Sequence, residues 1–203
     1  MTIAAFISRA RNRLDRLVIP RTSLVRTVGS GVQIDPSTRI DGGKFVRIDA
    51  KANIGGQCWI LVPGFETRQD TNEPVILIGS GTSIGGYCTI SAVNHVHIQS
   101  NVLFGPRVWV TDHNHVYSDI SQPILAQGWT TGGAVDIEDG CWIGTGAVII
   151  GNKGLRIGRG SVVGANAVVT SDIPPHCVVG GNPARLLKRY DPDTATWQHV
   201  NEQ

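Results

Sequence analysis

An all-β fold, a parallel β-helix built from hexapeptide repeats, is the class this sequence predicts, and three observations carry it. The first is a period of six: IDAKAN (48–53) runs into IGGQCW (54–59), IGSGTS (78–83) into IGGYCT (84–89), and IEDGCW (137–142) into IGTGAV (143–148), followed by IGRGSV (157–162), VGANAV (163–168) and VTSDIP (169–174). Ile98, Phe104, Val110 and Val116 continue the same spacing. The second is the form of each unit, with an aliphatic residue first, often Gly or an acid second, and a small residue fifth. The third is composition: 25 glycines in 203 residues, 6% aromatic and 17% charged residues suit a turn-rich β protein better than a helical bundle.

Each hexad supplies a short strand and a corner. Its first residue points inward and stacks on the equivalents in neighbouring coils, and its fifth also faces in, where little room is left. Three hexads close a triangular coil of about 18 residues, which cannot bury its own apolar face, so several coils must stack. An amphipathic helix would need a period near 3.6, and an antiparallel sandwich would vary its spacing.

The elements follow in chain order. Residues 1–26 hold six arginines and one acid, Asp15. Within them Ile3, Phe6, Ile7, Ala10, Leu14, Leu17 and Val18 form one helical stripe, an amphipathic basic helix. It is expected to cap the open end of the solenoid, with peripheral contact to an anionic membrane surface as the second reading. The solenoid domain spans residues 27–182. Two segments break its beat, 61–74 (LVPGFETRQDTNEP) and 117–134 (YSDISQPILAQGWTTGGA), and long insertions in a tight repeat tend to carry function. Shorter insertions fall near Val93 to His97 and Gly151 to Gly154. Residues 183–203 are expected to form a short C-terminal helix and a tail.

Charge and cysteines narrow the function classes. Beyond residue 26 the chain has 12 basic and 15 acidic residues, so nucleic-acid binding is not indicated. No run approaches transmembrane length and no signal-peptide core is evident, which makes the cytoplasm, up to the inner face of the membrane, the expected location. Cys58, Cys88 and Cys141 occupy fifth positions and read as small buried residues; Cys177 has no clear place.

One string stands apart. TDHNH (111–115) puts two of the six histidines and an aspartate just before the larger interruption. By itself it reads as a metal site, a catalytic base or a polar corner.

The hexads, TDHNH, the long loop, CWIGTGAVI (141–149) and IPPHCVVGGNPARLLKR (173–189) together resemble the hexapeptide-repeat acyltransferases, above all the sugar O-acetyltransferases of the maltose, galactoside and exopolysaccharide or lipopolysaccharide type. The likeness covers roughly residues 30–190. It implies a left-handed parallel β-helix, a homotrimer, acetyl-coenzyme A as acyl donor in a groove between subunits, and a sugar hydroxyl as acceptor; the basic N-terminal helix leans the reading toward the assembly of envelope polysaccharide, of the exopolysaccharide or lipopolysaccharide kind. Acetyl transfer from a thioester to an alcohol needs a base, and a neutral imidazole near pH 7 suits it. There is no GxSxG and no evidently activated cysteine, so direct transfer without an acyl-enzyme is expected.

The resemblance assigns His113, behind Thr111 and Asp112, as the base, with His115 in reserve. Asp112 would orient the imidazole or hold the sugar, or else simply form a turn. Trp142 is placed like the tryptophan lining the groove, Thr145 like the hydroxyl beside the pantetheine arm, and Ala165 like the small residue where the donor passes close. Thr170 and Ser171 resemble the pair near the adenine, although the family often has Lys where Ser171 stands. Arg185 and Lys188 match basic positions that meet phosphates. In the long loop Trp129 is a candidate for stacking on a sugar ring, and Tyr117 and Asp119 for binding hydroxyls. An amino sugar acetylated on nitrogen is an alternative acceptor.

A rival reading keeps the fold and changes the chemistry, since zinc carbonic anhydrases share this solenoid. His95 and His97 lie 18 residues before His113 and His115. Equal register to Ile98 and Val116 would stack the four on adjacent coils, about 5 Å apart. The main reading assigns no metal.

Overall fold

A computed structural model describes residues 25–69 and 73–200. The predicted helix of residues 1–26 therefore lies outside the described residues apart from Val25 and Arg26, which enter the first coil.

The chain winds as a left-handed parallel β-helix whose three faces are three sheets. The first face stacks Thr27–Val28, Val46–Ile48, Ile76–Ile78, His95–Ile98, Ala134–Ile137 and Leu155–Ile157. The second stacks Gln33–Ile34, Asn53–Ile54, Ser83–Ile84, Leu103–Phe104, Trp142–Ile143, Val162–Val163 and Cys177–Gly180, in parallel throughout. The third stacks Arg39–Asp41, Trp59–Leu61, Thr89–Ser91, Trp109–Thr111, Val148–Ile150 and Val168–Val169. Each coil visits the faces in that order.

The hexad register explains the core. On the first face Ile48, Ile78, Ile98, Ile137 and Ile157 are opposite one another and buried; on the third, Ile60, Ile90, Val110, Ile149 and Val169 repeat the pattern. On the second, Ile54, Ile84, Phe104, Ile143, Val163 and Val179 do the same. β-branched side chains suit this stacking because their restricted χ1 loses little on a pleated wall.

The fifth positions have a second role beyond fitting the space. The hydroxyls of Thr38, Thr82 and Ser161 donate to the carbonyls of Gly55, Gln99 and Pro174 on the next coil at 2.6–2.8 Å. The Cys58, Cys88 and Cys141 thiols reach Gly85, Gly105 and Gly158 in the same way, at 3.1–3.3 Å. A small donor here satisfies a corner carbonyl that no strand reaches. Cys177, unplaced from sequence, is the fifth residue counted from Ile173 and is equally buried.

Two expectations fail. Val116 does not continue the inward ladder: it is only half-buried, and Ile137 takes the place opposite Ile98. The chain leaves the solenoid after Thr111 and rejoins it at Ala134, so arithmetic in sixes breaks across the excursion. Among the described residues the C-terminal helix is also absent. Arg185–Asp191 is a strand, antiparallel to Cys177–Gly180, and Thr196–His199 pairs with it in turn. Its burial alternates with a period of two, and Leu186 packs on the core. The hairpin covers the open edge that the last parallel strand would otherwise expose.

Candidate active site

The corner after Trp109–Thr111 lies between the third and first faces. Asp112 is wholly buried there, and Thr111 nearly so at 6% exposure. A buried carboxylate must be compensated by donors. Asp112 Oδ1 accepts from the Val93 amide at 2.9 Å, and Oδ2 accepts from the Asn94 and His95 amides at 2.7 and 2.8 Å. These donors belong to the turn one coil below, where the short insertion near Val93 to His97 bends the backbone toward the carboxylate.

The fourth donor is His113. Its Nδ1 lies 2.8 Å from Asp112 Oδ1, and the side chain is 14% exposed. A carboxylate can only accept, so this contact, added to three backbone donors, suits the tautomer with the proton on Nδ1 and the Nε2 lone pair free. The Thr111 hydroxyl sits 3.1 Å from the His113 carbonyl and 3.3 Å from its amide, holding the corner from the other side. The arrangement is a base with an orienting carboxylate, able to take a proton from an alcohol and return it.

The long interruption is an ordered finger. Its legs pair antiparallel at the root: Thr130 N donates to Asn114 O at 2.8 Å, Val116 N to Gly128 O at 3.0 Å, and His115 bridges Trp129. The returning leg crosses the dyad. Gly133 N donates to Asp112 O at 2.7 Å, and the Asn94 side chain donates to Gly133 O at 2.6 Å. Gly132 has φ +80°, and a Cβ there would lie 2.6 Å from Val93 Cγ2 and 3.3 Å from Asp112 Cγ. Only glycine lets the chain pass this close. The 61–74 segment supports the same turn, for Arg68 donates to Val93 O at 2.6 Å.

His115 is exposed on the finger, its Nδ1 3.3 Å from Gly128 O, and among the described residues it has no carboxylate contact like that of His113. Asp119 organises the finger from within, accepting from the Ser121 amide and hydroxyl and from the Gln122 side chain. These bonds hold its carboxyl below the usual carboxylate range. Tyr117 and Trp129 are exposed on the finger, at 71% and 46%.

The remaining assigned residues lie along other edges. Trp142 projects half-exposed from the second face, opposite Leu103 and Val162. Thr145 and Ala165 are exposed on successive coils at the corner between the second and third faces, where Asn166 N donates to Thr145 O at 2.9 Å. Thr170 and Ser171 are exposed at the corner that leaves the third face, the His113 edge, but on a later coil. Arg185 and Lys188 stand on the terminal hairpin beside the second face. Within one chain, then, His113 and the group Trp142, Thr145 and Ala165 occupy different edges of the prism.

The four histidines do not stack. His95 is opposite Ala134 and His97 opposite Asp136, while His113 sits at a corner and His115 on the finger. The excursion displaces both of the latter from the register that spacing implied. Sequence reasoning missed Asn94, Gly132 and Arg68 as supports of the dyad. The insertion near Val93 was the one signal pointing to that turn.

No family model matches the chain. It is 32% identical over 161 residues to a protein of Escherichia coli (strain K12) named lipopolysaccharide biosynthesis O-acetyl transferase WbbJ, covering 76% of this chain and 80% of that one. It is 29% identical over 149 residues to a galactoside O-acetyltransferase of Lactococcus lactis, covering 73% and 68%. Among solved structures, a hexapeptide-repeat acetyltransferase of Vibrio cholerae complexed with acetyl-coenzyme A superposes with TM-score 0.60 at 27% identity, covering 84% and 74%. With the repeat register, the corner dyad and this identity over three quarters of its length, the chain belongs to the hexapeptide-repeat acyltransferases.

Proposed function

We propose that this enzyme transfers an acetyl group from acetyl-coenzyme A to a sugar hydroxyl, in the assembly of envelope polysaccharide, with His113 as general base. The observation that carries the reading is the Asp112–His113 pair: a solvent-reachable imidazole held by a buried, fully hydrogen-bonded carboxylate. His113 Nε2 removes the hydroxyl proton as the oxygen attacks the thioester carbonyl. Asp112 stabilises the imidazolium so formed. The tetrahedral intermediate then expels the thiolate, which takes the proton back from His113. A backbone amide at a coil corner would meet the oxyanion.

The separation of His113 from Trp142, Thr145 and Ala165 within one chain supports a groove built from two copies, as a homotrimer would provide. One subunit would contribute His113 and the finger, with Tyr117, Asp119 and Trp129 near the sugar. Its neighbour would contribute Trp142 and the pantetheine corner, with Thr170, Ser171, Arg185 and Lys188 toward the adenosine phosphates. Among the described residues no helix is long and apolar enough to cross a membrane. Membrane contact would rest on residues 1–26.

The test is coenzyme A release across a panel of free, nucleotide-linked and lipid-linked sugars, comparing wild type with His113→Ala and His115→Ala. Loss of activity of about 10²–10⁴-fold in the first variant, with near-wild-type turnover in the second, is expected. Full activity in His113→Ala would assign the base elsewhere.

A further inference from the structure

Outside the catalytic corner, the first face gathers a second set of chemistry-bearing side chains. His95 and His97 alternate along one strand, so both project outward. Asp136 is opposite His97 on the next coil, on the same face. Asp136 Oδ1 lies 3.5 Å from His95 Nε2 and 3.8 Å from His97 Nδ1, and one ligand atom from each residue falls within 4.8 Å of the others. The two rings stand 82° apart with centroids at 6.1 Å, so they diverge around the carboxylate rather than stack.

The donor set and spacing select a class of ligand. Two imidazoles and one carboxylate suit zinc and its neighbours rather than calcium or magnesium. Bonds of about 2.0–2.1 Å in a tetrahedron put ligand atoms about 3.3–3.4 Å apart. Small χ rotations close the remaining gaps, while the backbone positions are already set by parallel strand pairing. All three side chains are 34–40% exposed, so an ion can enter and a fourth position stays open to water. The cation opposite Asp136 on the following coil, Arg156, is engaged by Glu138.

We propose that His95, His97 and Asp136 form a binding site for a divalent transition cation of the zinc class. The ion joins the last first-face strand before the finger, His95–Ile98, to the first strand after it, Ala134–Ile137. It thereby closes the solenoid across its largest interruption. The His95 amide also donates to Asp112 Oδ2, so the staple borders the catalytic corner without sharing a side chain with it. The proposal stands apart from the acetyl-transfer reading.

The test is calorimetric titration of chelator-treated protein with Zn2+ alone, with Co2+ absorption as a check on coordination. Expected is one Zn2+ per chain at micromolar Kd or tighter, with Co2+ giving the intense visible bands of a four-coordinate site. His97→Ala and Asp136→Asn should each raise Kd at least about tenfold, and His199→Ala should leave it unchanged. The thermal midpoint should rise with Zn2+ in wild type and not in the two variants. Each variant's circular dichroism establishes that it is folded. No stoichiometric binding at about 100 µM Zn2+, or binding that survives both His97→Ala and Asp136→Asn, would overturn the site.

Discussion

His113 Nδ1 lies 2.8 Å from Oδ1 of Asp112, a carboxylate with no solvent exposure that also accepts three backbone amides of the turn Val93–His95. One side chain thus fixes the tautomer of the proposed base and ties two coils together. Asp112→Asn separates these roles. The amide presents an NH2 group where acceptors are needed and no longer stabilises an imidazolium. Turnover should fall by about 10²–10⁴-fold, and the loss of a buried charged acceptor should lower stability by about 1–3 kcal/mol. Steady-state kinetics and thermal melting read the two effects in one variant. A melt shift with unchanged turnover would reduce Asp112 to a structural turn.

Gly132→Ala tests the finger's return path. The substitution strains a backbone at φ +80° and forces a methyl against Val93 and Asp112. A loss of more than about 1 kcal/mol in stability is expected, with a fall in turnover as the dyad shifts. The same change at Gly128, also at positive φ but with nothing within 4 Å of its added Cβ, is the comparison and should disturb turnover less.

The break in the repeat predicts unequal responses at two positions that share the hexad arithmetic. Ile98 is fully buried in the first-face ladder, and Ile98→Ala should cost about 2–5 kcal/mol. Val116 has left that ladder, and Val116→Ala should cost less than about 1 kcal/mol. Chemical denaturation with equal m-values would establish the difference.

A groove built from two copies predicts complementation. His113→Ala and Trp142→Ala should each be poorly active alone. Subunits unfolded together and refolded at equal ratio should regain about a quarter of wild-type activity, because about one interface in four then combines an intact His113 with an intact Trp142. No regain over either parent would place both residues in one subunit's site.

Glu138 predicts a pH-dependent contribution to stability. It accepts from the Arg156 guanidinium and from the Arg159 amide at 2.7 Å, and the Arg156 bond chiefly holds its carboxyl below the ordinary value. A carboxyl whose folded pKa is depressed stabilises the fold above its unfolded pKa, about 4.3, and loses that contribution as pH falls through the folded value. Glu138→Gln should therefore melt about 2–4 °C lower at pH 7. The gap should narrow as the pH is taken below about 4, with melting curves at several pH values as the measurement.

Much of this molecule is legible in its amino-acid sequence. The hexads of IGSGTS and IGTGAV foretell which isoleucines face inward, because a coil with three short walls leaves each first position one direction to point. TDHNH was legible as the point where the chain leaves the repeat, because polar residues accumulate where a strict repeat stops. The terminal segment misled for a physical reason: LLKRY suits a helix or a strand, and the unpaired edge of Cys177–Gly180 decides for the strand.

The sequence by itself determined the solenoid, its register on either side of the finger, and the family of chemistry. A six-residue beat is local, and each unit states its own inward residue. Tertiary structure alone decided the depth of Asp112, the three amides that compensate it, and the glycine that lets the finger return over it. It also decided that His97 meets Asp136 rather than His115. These contacts join residues separated by an excursion whose length sets no register, so spacing could not supply them.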